Sequence, residues 1–178
     1  PMTGSLSVAD ILEAMEERAA TVDGARHALP DEFMVLATQN PIDFEGTYPL
    51  PESQIDRFLV RLAITYPDAA TEQRVLATYA LAAGTPPVAG PLDVDPALLA
   101  RARGEIDAVA VEEPLLAYVV ELAAASRRHE DLVLGLSTRG ARALLLMARV
   151  AASAAGEVFV RPDDVKRVAP WEIGRAHV

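Results

Sequence analysis

Two apolar stretches, Phe33-Met34-Val35-Leu36-Ala37-Thr38 and Phe58 to Ile64, limit the folds open to this chain. Neither alternates apolar with polar residues, as a strand with one wet face does. Such runs mark strands buried on both faces, the situation in parallel sheets covered by helices. The first run is followed by a Pro- and Gly-rich loop from Gln39 to Pro51 and a short helix near Glu52–Arg57. The second is stopped by Pro67. Between an upstream helix and the first run lies Thr21-Val22-Asp23-Gly24-Ala25-Arg26, whose Asp-Gly pair predicts a β-hairpin closing at Asp23-Gly24.

Helices account for most of what remains. Val8, Ile11, Leu12, Met15 and Ala19 recur at helical spacing, and Ser7 with Asp10 forms a capping-box pattern, which predicts a helix from Ser7 to Ala20. A second helix is expected over Ala69–Ala83. Gly84 to Pro91 holds three prolines and two glycines and reads as a linker. Beyond it the pattern turns helical. Asp95-Pro96 supplies an N-cap with Pro at the first helical position, and further helices fit Pro114–Arg128, Thr138–Ala154 and Pro162–Val168. Ala108–Val111 and Val158–Val160 read as small strands. The pattern is a piece of an α/β domain followed by a small helical one.

Composition closes several function classes. The 178 residues carry 16 basic and 26 acidic side chains, a formal charge of -10. A nucleic-acid module needs clustered positive charge to release counterions, so none is expected. There is no cysteine, which excludes disulfides and thiolate metal sites. His27, His129 and His177 lie far apart without metal-ligand spacing, and neither a G-x-S-x-G elbow nor a phosphate loop is present. No apolar run reaches the ~18 residues of a membrane span, and no signal peptide opens the chain, so a soluble, cytoplasmic protein is expected.

Three places invite a chemical reading, each beside a plainer one. Asn40 follows a predicted buried strand, where open α/β sheets bind ligands; Asn40-Pro41 also suits a simple turn. Arg57 ends a short helix before the second strand, a rigid mount for a fork that suits phosphate, or merely a cation at a helix C-terminus. Ser137-Thr138-Arg139 puts a cation in the first turn of a helix, against the macrodipole unless an anion sits nearby. Arg142 and Arg149 share its face beside Ala143, Leu146, Met147 and Val150, which equally describes an ordinary amphipathic helix.

In this order the three places resemble the MoxR family of AAA+ ATPases. The likeness is carried by Leu12-Glu13-Ala14-Met15-Glu16-Glu17-Arg18, Thr21-Val22-Asp23-Gly24, Ala37-Thr38-Gln39-Asn40-Pro41, Glu45-Gly46-Thr47-Tyr48-Pro49-Leu50-Pro51-Glu52 and Gln54-Ile55-Asp56-Arg57-Phe58. Weaker similarity runs through Ser137-Thr138-Arg139 and Pro162-Asp163-Asp164-Val165 to Trp171. The resemblance implies an α/β AAA+ core fragment, with parallel-sheet strands and a β-hairpin, followed by a helical lid. It implies that Asn40 is sensor 1, orienting the attacking water, and that Arg57 is the arginine finger offered to ATP in a neighbouring subunit. Arg139 would be sensor 2 on the lid, and the cofactors would be ATP and Mg²⁺. The family's phosphate loop and Walker B acids are not found in this chain, so the chain alone is expected to be inactive and to carry no metal ligands. The implied partners are further copies in a ring and a protein bearing a von Willebrand A domain, and the implied work is chaperone-like remodelling or maturation of complexes.

The expected organisation is residues 1–10 divergent or foreign, 11–83 core, 84–91 linker, 92–171 lid and 172–178 a spurious tail. The alternatives are a non-enzymatic helical interaction module and a magnesium-chelatase-like ring ATPase subunit.

Overall fold

The computed structural model describes residues 7–22, 24–39, 50–81, 95–132 and 134–173. The first helix, α1 (Val8–Glu17), begins with a closed capping box, in which Ser7 and Asp10 each satisfy the other's backbone N–H. It ends where Arg18 adopts the left-handed conformation, φ 47°. That turn stops the helix three residues short of Ala20 and releases Ala19 and Ala20 into β1 (Ala19–Val22). Strand β1 pairs antiparallel with β2 (Ala25–Ala28), Val22 opposite Ala25. Gly24 has φ +80°, as a two-residue hairpin turn requires, while Asp23 lies outside the described residues.

Neither apolar run is a strand. Residues 33–38 and 58–64 belong to no ladder, and Met34, Leu36, Leu62 and Ile64 are 66–94% exposed. A strand is held by neighbours on both edges and, when apolar on both sides, by layers over each face. Among the described residues the only sheet is the β1–β2 hairpin, so neither condition is met. The expected parallel-sheet pairing is therefore not formed among the described residues.

The following elements are α2 (Glu52–Ile55), α3 (Ala69–Leu81) and α4 (Pro96–Ala108), whose N-cap Asp95 accepts from Ala97 N–H at 2.9 Å. The stretch 84–91 read as a linker lies outside the described residues. Helices α5 (Glu113–Ser126), α6 (Thr138–Ala154) and α7 (Pro162–Ile173) form the packed unit. Their core is Leu115, Val119, Ala123, Leu144, Ala148, Ala152, Val165 and Val168. Leu144, not Leu146, lies on the buried face of α6. The two small strands reduce to one parallel bridge, Ala110 to Phe159. Helix α7 continues through Pro170 to Ile173, so Glu172 and Ile173, assigned from sequence to the tail, are helical; Glu172 is buried and Ile173 packs on the core.

Polar contacts join these helices to the rest. Arg149 of α6 donates from Nε and Nη2 to the Val109 carbonyl, at 3.2 and 3.1 Å, and closes the C-terminus of α4. Arg103 of α4 and Arg18 both donate to the Asp31 carbonyl, at 2.9 and 3.1 Å. Because Leu144 is fully buried, Leu144→Ala should destabilise the chain by about 2–5 kcal/mol in urea unfolding. Leu146→Ala, on the 41%-exposed side of the same helix, should cost less than about 1 kcal/mol.

Candidate functional site

The site is assembled from three helix ends. Glu16 stands near the C-terminus of α1, Asp56 and Arg57 in the turn that follows α2, and Ser137 and Arg139 at the start of α6. Arg57 is not mounted on a strand, as the sequence suggested. Its backbone N–H donates to Gln54 at 3.2 Å and that of Phe58 to Ile55 at 3.1 Å, so a tight turn fixes it instead.

One carboxylate gathers both arginines. Arg139 Nη2 donates to Glu16 Oε1 at 2.7 Å, and Arg57 Nη1 donates to Glu16 Oε2. The hydrogen bond from Arg139 holds the Glu16 carboxyl below its ordinary value; partial desolvation opposes this, and the Arg57 charge reinforces it. The Arg57 side chain is 29% exposed, and its Nε is buried without a hydrogen-bond partner among the described residues. Glu16 is thus the anion that the Arg139 position calls for, a cation in the first helical turn being otherwise unfavourable.

A second contact lies alongside. Ser137 Oγ donates to Asp56 Oδ1 at 2.8 Å while accepting from Gly140 N–H at 2.9 Å. The hydroxyl therefore caps α6 and fastens that helix end to the residue beside Arg57. The approach to Ser137 is held from the other side. Leu136 N–H donates to the buried Ser126 Oγ at 2.9 Å, and Arg127 Nε donates to the Leu136 carbonyl at 2.7 Å. Gly135 allows this closeness, since a Cβ there would fall on the backbone of Arg127.

Beside Glu16 and Arg57 an open groove of about 380 Å³ runs between α1 and α2, lined also by Glu13, Glu17, Ser53 and Gln54 among others. Asn40 lies outside the described residues, so it is not placed relative to the arginine pair. Arg142 is solvent-exposed, and Arg149 serves α4; neither joins Arg139. Sequence reading passed over Glu16, one acidic residue among several on the polar side of α1, and gave Asp56 no role. The signal that could have found Glu16 was the demand of Arg139 for a nearby anion. Among the described residues no group of three or more His, Asp or Glu is arranged to hold a metal ion, and no helix is long and apolar enough to cross a membrane.

Comparisons with known proteins bear on the family and the fold. Residues 3–60 match the ATPase family associated with various cellular activities (AAA), and residues 124–173 match the AAA lid domain. The first match begins within the stretch 1–10 that the sequence reading set apart, and the second includes Glu172 and Ile173. The uncharacterized protein YeaC of Bacillus subtilis is 36% identical over 97% of this chain and 57% of its own length. Chaperone MoxR1 of Mycobacterium tuberculosis is 35% identical over 90% of this chain and 44% of its own. The chain thus spans about half the length of the curated relatives it matches. A crystal structure of a candidate ATPase from Cytophaga hutchinsonii superposes with a TM-score of 0.79 at 30% identity, over 95% of this chain and 53% of that one. The fold is accordingly that of an AAA+ core portion with its hairpin, followed by the helical lid. On the matches to the AAA ATPase family and its lid and the likeness to Chaperone MoxR1, the chain belongs to the MoxR family of AAA+ ATPases.

Proposed function

We propose that this chain supplies the arginine-bearing face of a MoxR-type ATPase that hydrolyses ATP in an oligomeric ring. The observation that carries the reading is the convergence of Arg57 and Arg139 on the two oxygens of Glu16. Two guanidinium forks aimed at one small anion suit a phosphate group. Phosphoryl transfer asks the protein mainly to position groups and to stabilise charge, so these parts fit that chemistry.

In this reading ATP supplies the transferable γ-phosphoryl group and Mg²⁺ offsets its negative charge. Arg57 is the finger that stabilises charge on ATP held by a neighbouring subunit. Arg139 is sensor 2, bringing the lid's position to bear on the same phosphates. Asn40 is sensor 1, orienting the attacking water through its amide. Ser137 and Asp56 keep the lid helix in register with the finger. Magnesium has no ligand set among the described residues and is assigned none. The work done by the ring is chaperone-like remodelling or maturation of partner complexes, with a protein bearing a von Willebrand A domain as the partner, in the cytoplasm. The relationship to a protein named as a chaperone supports that assignment.

The reading has two measurable consequences. The 178-residue chain alone should neither bind ATP at micromolar concentration nor turn it over in a calorimetric titration, because the backbone nest and lysine of a phosphate loop and the Walker B acids are not found in its sequence. In assembled full-length rings, Arg57→Ala should leave nucleotide binding nearly intact and lower hydrolysis by a factor on the order of 10³. Lys at this position should rescue poorly, lacking the planar fork. Mixing Arg57→Ala subunits with subunits unable to bind ATP should restore turnover at some interfaces, those pairing an intact nucleotide site with an intact arginine. Normal turnover by Arg57→Ala rings would refute the assignment.

A further inference from the structure

The Arg57–Glu16–Arg139 cluster raises a question that the ATPase reading leaves open: what the two forks do without a phosphate. Each Glu16 oxygen is taken by a different guanidinium, so the carboxylate spans the pair as an oxyanion ligand would. Together with the Ser137–Asp56 hydrogen bond it brings Arg57 and Arg139 to one place, although they sit 82 positions apart on separate elements. Glu16 itself is 38% exposed, beside an open groove, so a soluble anion can reach the forks without passing through the core. The forks retain capacity beyond what the carboxylate uses. A guanidinium has five N–H donors, and the Arg57 Nε is unpartnered among the described residues.

Resting on the reading of this site as a phosphate-facing one, we propose that Glu16 is an internal placeholder for phosphate. It holds Arg57 and Arg139 in register in the free chain and is displaced when a polyphosphate engages both forks. The carboxylate then competes with the ligand, and every binding event must first open two ion pairs. Glu13 and Glu17 line the same groove, and Glu17 is neutralised by Arg26 at 3.0 Å. Glu13 adds to the repulsion of an incoming anion but pairs with neither fork among the described residues. A merely structural Glu16 would have the opposite consequence. Removing its charge would loosen the arginines and weaken anion binding, whereas removing a competitor strengthens it.

The test is a titration of the 178-residue chain with inorganic tripolyphosphate at low ionic strength, followed by two-dimensional NMR and calorimetry. Glu16→Gln should tighten tripolyphosphate binding by roughly 3- to 10-fold, the scale expected for releasing two partly exposed ion pairs. Glu16→Ala should do the same. Arg57→Ala and Arg139→Ala should each weaken binding, and both should shift the signals of the same residues, because the forks serve one ligand. Glu105→Gln removes an equal charge from an exposed ion pair on α4 and should leave the affinity unchanged. Thermal unfolding measured alongside identifies any variant that fails to fold, and the Gln and Ala variants then stand in for one another. Unchanged or weaker binding in folded Glu16 variants overturns the placeholder role, as does an equal gain in Glu105→Gln or no tripolyphosphate binding by any form. None of these outcomes bears on Arg57→Ala turnover in rings, which judges the ATPase reading separately.

Discussion

The contact between α1, the turn after α2 and the helical unit rests on a few charges meeting at the N-terminus of α6. The packed core is confined to the region of α5, α6 and α7, and no apolar layer among its members comes from α1 or α2. What ties those earlier helices to α6 is the Glu16 carboxylate with its two arginines, and the Ser137–Asp56 hydrogen bond. Surface ion pairs of this kind contribute little to stability and are weakened by salt. Their value here is geometric. An apolar interface of similar extent would fix the lid, whereas a joint made of forks and carboxylates can exchange one anion for another at small cost.

The helical unit supplies the stiffness that such a joint needs on one side. Leu144, Val165 and Val168 are almost wholly buried, and the Ser126 hydroxyl and Arg127 fork pin the segment leading to Ser137. Even the buried Asp164 serves local order, accepting from the Arg161 backbone N–H at 2.9 Å at the start of α7. The direction of Arg139 is therefore set by well-packed neighbours as well as by its ion pair. Arg57 has the weaker mount, a turn after a four-residue helix, and relies more on Glu16.

Legibility in the sequence followed the range of the interaction. Ser7, Asp95 and Ser137 announced their helices because an N-cap works within three residues, and Gly24 announced the hairpin because positive φ is a local demand. The apolar content of the runs at 33–38 and 58–64 predicts strands, yet a strand requires partners that local pattern cannot supply. Arg57 and Arg139 emerged through family likeness. Glu16 did not, since its role depends on residues 41 and 123 positions away. The chemistry was nevertheless implicit, because a cation at the start of a helix signals an anion somewhere in space.

Arg57 also lies between two fastenings to the helical unit. On one side Asp56 accepts from Ser137 at the N-terminus of α6. On the other, the Arg61 backbone N–H donates to the Trp171 carbonyl at 3.2 Å, in the last turn of α7. Helices α6 and α7 are packed together through Leu144, Val165 and Val168, so both fastenings belong to one body. A displacement of that body therefore draws on the chain immediately before and after Arg57, while it also carries Arg139. Both guanidinium groups are thus tied to the same helical unit. Under the proposed function, an anion engaging one of these cations would therefore be felt by the other through that shared body.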